Sequence, residues 1–420
     1  MAAQRTYIFL TRRITEVGGA EKYTANKAEF LKESGWRVFV FSGRPGEIKI
    51  DAFKEYAPYI IPELAYSPDF YPRRRVEATL DRIVSAVGDC GEGYIVQSDA
   101  GIRAIWGELL AARLGARHLA FLLQEEHRYS DEMRRFLRFK YERHELAGIV
   151  KTAVARMLDD ASIEPRPDTT ISAFCNNVVE DVPEPFTQQL DSAATHVIGS
   201  IGRLEKPCVG PILDGISRYA ARHPGETLQV VLIGGAPSPA LEKQIRARFD
   251  GEPRIRLLVT GNLHPIPTRL LERIDAFVST AGSARVSFRA GRPTVLVHPV
   301  SGIPAGIPGL DFDYAHQTMY DARPELSIEG CLERIFARQD IIRFPNPAGD
   351  YRKYMHAEFE RQLAFGVAGN AYYDSAKLLR MPLRPGGAFQ RLAMRLLLGL
   401  GGSVWVQRAG RCLRKRRPQG

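Results

Sequence analysis

Ile201-Gly-Arg-Leu-Glu-Lys206 sets two cations just beyond an apolar run, His196-Val-Ile-Gly-Ser-Ile201. Such a run reads as a strand. Arg203 and Lys206 are then expected at a strand's carboxyl end, where open α/β sheets bind ligands. Cations there suit a diphosphate, because negative charge builds on that leaving group as its bond breaks. The plain alternative is a solvated charged loop.

Three glycine-bearing segments occupy comparable positions. Gly18-Gly19, in EVGGAEKY, joins the apolar run Tyr7–Leu10 to a helix-like run from Thr24 to Ser34. Gly234-Gly235 ends the strand Leu228–Ile233, and Gly282-Ser283 follows the strand Asp275–Ser279 and opens a helix. Unobstructed amides at a helix N-terminus suit a phosphate. Ser283 adds a hydroxyl. Glycine pairs at strand ends are also ordinary turns.

The elements that position these residues alternate along the chain. Strands are expected at Arg37–Phe41, Gly93–Gln97, Arg117–Leu123, Ile255–Val259 and Thr294–His298. Helices are expected at Arg74–Val87, Arg103–Leu114, Ser130–Ala147, Pro211–Arg222, Ala240–Arg248, Pro267–Arg273 and from Ser283 to Ala290. Alternation of this kind implies parallel sheets covered by helices. It is interrupted at Val178–Asp191, rich in prolines and acids, which reads as an interdomain linker.

Composition is that of a globular protein, 45% hydrophobic and 25% charged over 420 residues, a length that suggests two domains. Cys90, Cys175, Cys208, Cys331 and Cys412 are scattered, which points to reduced thiols rather than a disulfide framework or a zinc site. There is no signal-peptide pattern and no run of about 18 apolar residues, so no membrane span is expected. Charge is uneven. Ser375 to Gly420 holds eleven Lys and Arg with no Asp or Glu, so a whole-chain +10 leaves the other residues at −1. A near-neutral body with one cationic appendage argues against a nucleic-acid partner.

Together these segments resemble the GT-B fold glycosyltransferases, in particular the retaining family 4, also called glycosyl transferases group 1. Gly18-Gly19-Ala20-Glu21 resembles that family's N-terminal loop, and Gly202-Arg203-Leu204 with Lys206 resembles its motif after the first strand of the second domain. Asp275-Ala-Phe-Val278 and Gly291-Arg-Pro293 resemble two later motifs. The similarity covers roughly Tyr7 to Val297.

The resemblance implies two Rossmann-like open parallel sheets facing across a cleft. The domains expected are 1–182 for the acceptor, 183–350 for a nucleotide-sugar, a helical segment over 351–374 and a basic amphipathic tail over 375–420. Donor-binding residues implied are Gly18, Gly19, Arg203, Lys206, Gly235, Gly282 and Ser283. On the acceptor side, Gln124-Glu-Glu-His-Arg128 supplies His127, near the place where related enzymes keep an active-site histidine, and Glu126. A surface histidine in a charged loop is the alternative. Asn176-Asn177 could line the cleft or make a turn.

One departure stands out. The family carries two glutamates eight positions apart before Gly-x-Pro, and the second commonly holds the ribose. Here the segment from Ser279 to Gly291 has none, and the ribose position falls on Val286, which cannot accept hydrogen bonds. Asp311-Phe-Asp313 matches a metal–diphosphate signature of a different fold, but so short a match has a high false-positive rate. No metal site and no cofactor are expected, the nucleotide-sugar being a substrate.

Phe389–Val406 is apolar but interrupted by Arg391, Arg395 and three glycines, with further arginines beyond. Residues 389–417 are expected either to lie on an anionic membrane surface or to form a basic end that is disordered or docked on the body. The leading expectation is a hexosyl-type glycosyltransferase acting on a glycan or lipid-linked acceptor in bacterial surface polysaccharide or glycoconjugate synthesis. Its setting would be cytoplasmic, peripheral on the inner face of the membrane. The alternatives are a non-catalytic binding or scaffold relative and a GT-B sugar-nucleotide epimerase. A dinucleotide oxidoreductase is disfavoured, because no GxGxxG follows the first strand.

Overall fold

Tyr-Ile-Phe-Leu beginning at Tyr7, with a threonine at either end, is buried on both faces, as a central strand of a parallel sheet must be. The computed structural model describes residues 5–89, 93–122, 129–149, 151–158, 165–171, 177–312, 322–337, 351–366, 371–382, 392–399 and 402–403. In chain order the strands are β1 (Thr6–Thr11), β2 (Arg37–Ser42), β3 (Tyr94–Asp99), β4 (Arg117–Leu122), β5 (Leu146–Gly148), β6 (Val179–Glu180), β7 (His196–Ile201), β8 (Leu228–Ile233), β9 (Ile255–Val259), β10 (Ile266–Pro267), β11 (Ala276–Ser279), β12 (Thr294–Val297) and β13 (Pro304–Gly306). The helices are α1 (Gly19–Glu33), α2 (Arg73–Val87), α3 (Ile102–Leu114), α4 (Asp131–Glu142), α5 (Lys151–Leu158), α6 (Val209–Arg222), α7 (Pro239–Ala247), α8 (Thr268–Glu272), α9 (Ala281–Arg289), α10 (Ile328–Ala337), α11 (Tyr351–Leu363) and α12 (Ser375–Leu378).

The chain divides into two units: residues 1–172 with 356–420, and residues 173–355. Unit 1 carries a five-stranded parallel sheet in the order β2-β1-β3-β4-β5. Unit 2 carries a six-stranded sheet in the order β13-β12-β11-β7-β8-β9, parallel except for β13. β6 and β10 make a separate two-stranded pair. Each sheet has its own buried core, one around Trp106, Leu110 and Phe136, the other around Ile216, Val230 and Leu332.

Two open parallel α/β sheets were expected, and two are found. Some boundaries differ. The helix expected over Ser130–Ala147 ends at Glu142, and its last residues enter β5. The stop is His144, which takes a left-handed φ of 57° without being glycine. Its ring meets Asp168 at 3.0 Å and Arg166 at 3.0 Å, partners that can hold this conformation. β6 lies inside the segment read as a linker, where it pairs with β10.

The C-terminal chain returns to unit 1 through polar side chains. Lys27 Nζ, fully buried, donates to Gln97 at 2.8 Å and to Gln362 of α11 at 3.0 Å. Tyr23 OH also donates to Gln362. The rings of Tyr7, Tyr23 and Phe121 surround the ammonium, an arrangement that stabilises a desolvated cation. Tyr373 N–H then donates to Glu108 at 2.9 Å.

Candidate functional site

In an open α/β sheet the ligand crevice opens between adjacent strands whose onward connections run in opposite directions. Unit 2 has this point between β7 and β11, and unit 1 between β1 and β3.

In unit 2, β7 and β11 pair only at Ala276↔Ile198 and Phe277↔Gly199. Beyond that the Ser279 hydroxyl accepts the Ile201 N–H at 3.1 Å, so a side chain takes over where the backbone ladder stops. Arg203 and Lys206 emerge here. Arg203 is exposed and pairs with Glu205 at 2.9 Å. Lys206 folds back over the strand end: a side chain at Gly202 would stand 3.4 Å from its Nζ.

Across the divide, α9 begins without a side-chain cap. Its N-cap is Thr280, 3% exposed, whose hydroxyl meets no hydrogen-bond partner among the described residues. Ala281 has φ 54°, a strained value for a residue with a Cβ, and strain of this kind collects at functional sites. Gly282 is buried and Ser283 partly exposed on the same first turn. An uncapped helix start leaves main-chain N–H groups without intrahelical acceptors. An orphaned hydroxyl beside them completes a cradle fit for phosphate oxygens.

Gly234 and Gly235 have a packing reason to be glycine. A Cβ at Gly234 would collide with the Gly202 carbonyl oxygen, and one at Gly235 with Asn262. The Gly235 N–H is taken by Asn262 Oδ1 at 3.0 Å. Val286, at the expected ribose position, is 1% exposed and faces the core. Asp311 is tied to Arg334 at 2.6 Å and accepts the Ile307 N–H at 2.7 Å. Burial works against its charge, but Arg334 and that N–H hold its carboxyl below the usual range. Asp313 lies outside the described residues.

In unit 1, Gly18 is the N-cap of α1, and a Cβ there would strike the Glu21 carboxylate. Glu21 is buried and receives Arg13 Nε at 3.0 Å. The chain's own carboxylate thus lies against Gly18, while Gly19 is exposed. At the same switch point the Arg12 N–H donates to Asp99 Oδ2 at 3.0 Å, and Arg103 Nε stands 3.9 Å from that oxygen. Burial raises the Asp99 carboxyl and lowers the Arg103 guanidinium. Arg103 Nε has no hydrogen-bond partner among the described residues. Burial also pushes the Lys22 amine, in the first turn of α1, down to about 8. Glu126, His127 and Asn176 lie outside the described residues, whereas Asn177 is buried.

Sequence reasoning missed Thr280, Asp99 and Arg103. A threonine before Ala-Gly-Ser carries an N-cap signal. Asp99 and Arg103 carry none, since a charge at a strand end or helix start is commonplace.

A further cluster has the geometry of a nucleophile, a base and an orienting acid. His118 Nε2 lies 2.8 Å from Ser98 Oγ, and its Nδ1 lies 2.7 Å from Glu108 Oε2. All three side chains are sealed in the core, and Lys140 Nζ shares the same carboxylate at 2.8 Å. No substrate atom reaches a serine buried this deeply, so the cluster is a fully satisfied polar core.

No family model and no curated protein matches the sequence. Solved structures do. A glycosyltransferase from Rickettsia africae superposes with a TM-score of 0.53 at 10% identity, over 96% of this chain and 100% of that one. HepE of Anabaena, in complex with UDP-glucose, gives 0.51 at 15% identity, over 85% and 96%. At such identities the likeness is one of fold, and the fold is GT-B.

Proposed function

We propose that this GT-B chain is a glycosyltransferase in which unit 2 holds a nucleotide-sugar and unit 1 holds the acceptor. The observation that carries the reading is the start of α9: an uncapped, strained helix N-terminus with a buried, unpartnered Thr280 hydroxyl, on the other side of the switch point from Arg203 and Lys206. Cations and free helix N–H groups of this kind suit a diphosphate. As the bond from the sugar's anomeric carbon to the diphosphate breaks, charge grows on the leaving oxygen. Arg203, Lys206, Thr280, Ser283 and the amide of Gly282 are assigned to stabilise it. No metal is required in this scheme. Gly18 and Gly235 are also held to glycine by their neighbours Glu21 and Asn262, and with Gly19 they keep the donor-side role that the resemblance implies.

On unit 1, Asp99 and Arg103 are assigned to the acceptor. A desolvated carboxylate beside a guanidinium orients a hydroxyl strongly, because the low dielectric strengthens each hydrogen bond. His127 and Glu126 retain the acceptor-side role that the resemblance implies. The acceptor class proposed is a glycan or lipid-linked sugar in surface polysaccharide or glycoconjugate synthesis, with hexosyl transfer and retention of configuration.

The core-facing Val286 favours a second reading, a non-catalytic binder of the same fold. The test is a thermal-shift panel of UDP, GDP, ADP, CMP and their sugar conjugates on the protein and on Arg203→Ala. A ligand that binds the native state alone raises the midpoint. Stabilisation by one nucleotide, lost in the variant, together with release of free nucleotide in the presence of acceptor, is expected. Stabilisation without turnover on any acceptor would favour the binder, and no stabilisation at all would remove the donor site.

A further inference from the structure

Residues 392–399 form a two-turn helix whose two faces differ. The inner face is anchored on unit 1. Leu398 is fully buried in that unit's core, and Met394, one turn earlier, packs against the same cluster. Arg395 Nε donates to the Asp69 carbonyl at 2.8 Å. Beyond the helix, Ser403 Oγ and Tyr71 OH share a hydrogen bond of 3.0 Å. Arg395, one of the two arginines that interrupt the apolar segment in the sequence, is turned towards unit 1.

The outer face is apolar. Leu392, Leu396 and Leu397 are 56%, 58% and 42% exposed. Among the described residues the other exposed large hydrophobics are Val300 and Tyr354, so three of five lie on one helix of eight residues. Scattered exposed leucines need no explanation, but three grouped on one helix mark a contact surface.

Charge says what kind. The seventeen residues after Ser403 carry Arg408, Arg411, Arg414, Lys415, Arg416 and Arg417 and no acid. They follow Ser403, which Tyr71 holds on unit 1 and which lies six residues after Leu397 in the chain. A nucleic acid would answer the cations and leave the leucines in water. A second copy of this chain would cover the leucines and bring two cationic segments together. An anionic lipid surface answers both features, since leucines enter the headgroup boundary while arginines meet the headgroups.

We infer that the Leu392, Leu396 and Leu397 face and the cationic end after Ser403 together seat unit 1 on an anionic membrane surface. This does not depend on nucleotide binding by unit 2. The test is co-sedimentation of the full chain with vesicles of mixed phosphatidylcholine and phosphatidylglycerol, against phosphatidylcholine alone. Binding to the anionic vesicles is expected, and it weakens as salt rises. Replacing the three leucines by Gln should lower the bound fraction about tenfold or more, with the thermal midpoint unchanged because these side chains face solvent. A chain ended after Ser403 should lose the preference for anionic lipid. No binding by the intact protein, or equal binding by the leucine variant, overturns the inference. So does a dimer in solution that the leucine variant dissociates, which would make a second copy the occupant.

Discussion

The Ile201 N–H donates to the Ser279 hydroxyl at 3.1 Å, across the point where β7 and β11 part. One buried side chain closes the backbone of two strands whose ends carry the proposed donor groups. Ser279→Ala removes the acceptor and leaves a buried N–H unpaired, a loss of about 1–3 kcal/mol. Chemical denaturation of the two proteins measures it. A change near zero would mean that the strand end finds another partner.

Thr280 carries the opposite expectation. Its buried hydroxyl is unpaired among the described residues, so Thr280→Val keeps the shape and removes an unsatisfied group. The free protein should become more stable by about 1 kcal/mol, while nucleotide-induced stabilisation shrinks. Gain of stability with loss of binding is the signature of a group kept for a ligand. Loss of both would make the threonine structural.

Gly234 is held to glycine by the Gly202 carbonyl. Gly234→Ala forces that backbone contact apart, at a cost of about 1–3 kcal/mol. Because Gly202 leads into Arg203, nucleotide affinity should fall with it. An alanine variant of unchanged stability would contradict the close approach.

The polar core of unit 1 sets an acid limit. Burial lowers His118 from its ordinary 6.5, with the Lys140 cation acting the same way against Glu108 and Glu145. Burial alone would raise Glu108, but the His118 hydrogen bond and Lys140 hold it at about 2. Both folded-state values are depressed. Each group's contribution is therefore present above its unfolded value, 6.5 for His118 and 4.5 for Glu108, and is lost as pH falls towards the folded value. Denaturation midpoints should decline from about pH 6.5 downward. The upper part of that decline should vanish in His118→Gln. A flat profile above pH 4.5 would contradict a neutral, buried His118.

Much of this was legible in the residues. Arg203 and Lys206 after an apolar run announced a strand edge with two cations, and β7 ends there. β5, β6 and β13 were not legible, because two or three residues are too few to carry a period. Nor was the return of α11 to unit 1, which depends on Lys27 and Gln362 meeting across more than three hundred residues. The helix stop at His144 was hidden because side-chain partners, not a glycine, accompany the turn. Thr280 was legible only as an N-cap candidate: what marks it is the lack of a partner, and a sequence does not record that.

The most direct measurement is a crystal structure grown with the nucleoside diphosphate that the thermal-shift panel selects. The diphosphate is expected at the start of α9, within hydrogen-bond distance of Thr280 Oγ and the main chain of Gly282 and Ser283, with Arg203 and Lys206 turned onto its oxygens. A nucleotide bound elsewhere, or a diphosphate that leaves Thr280 unpartnered, would contradict it.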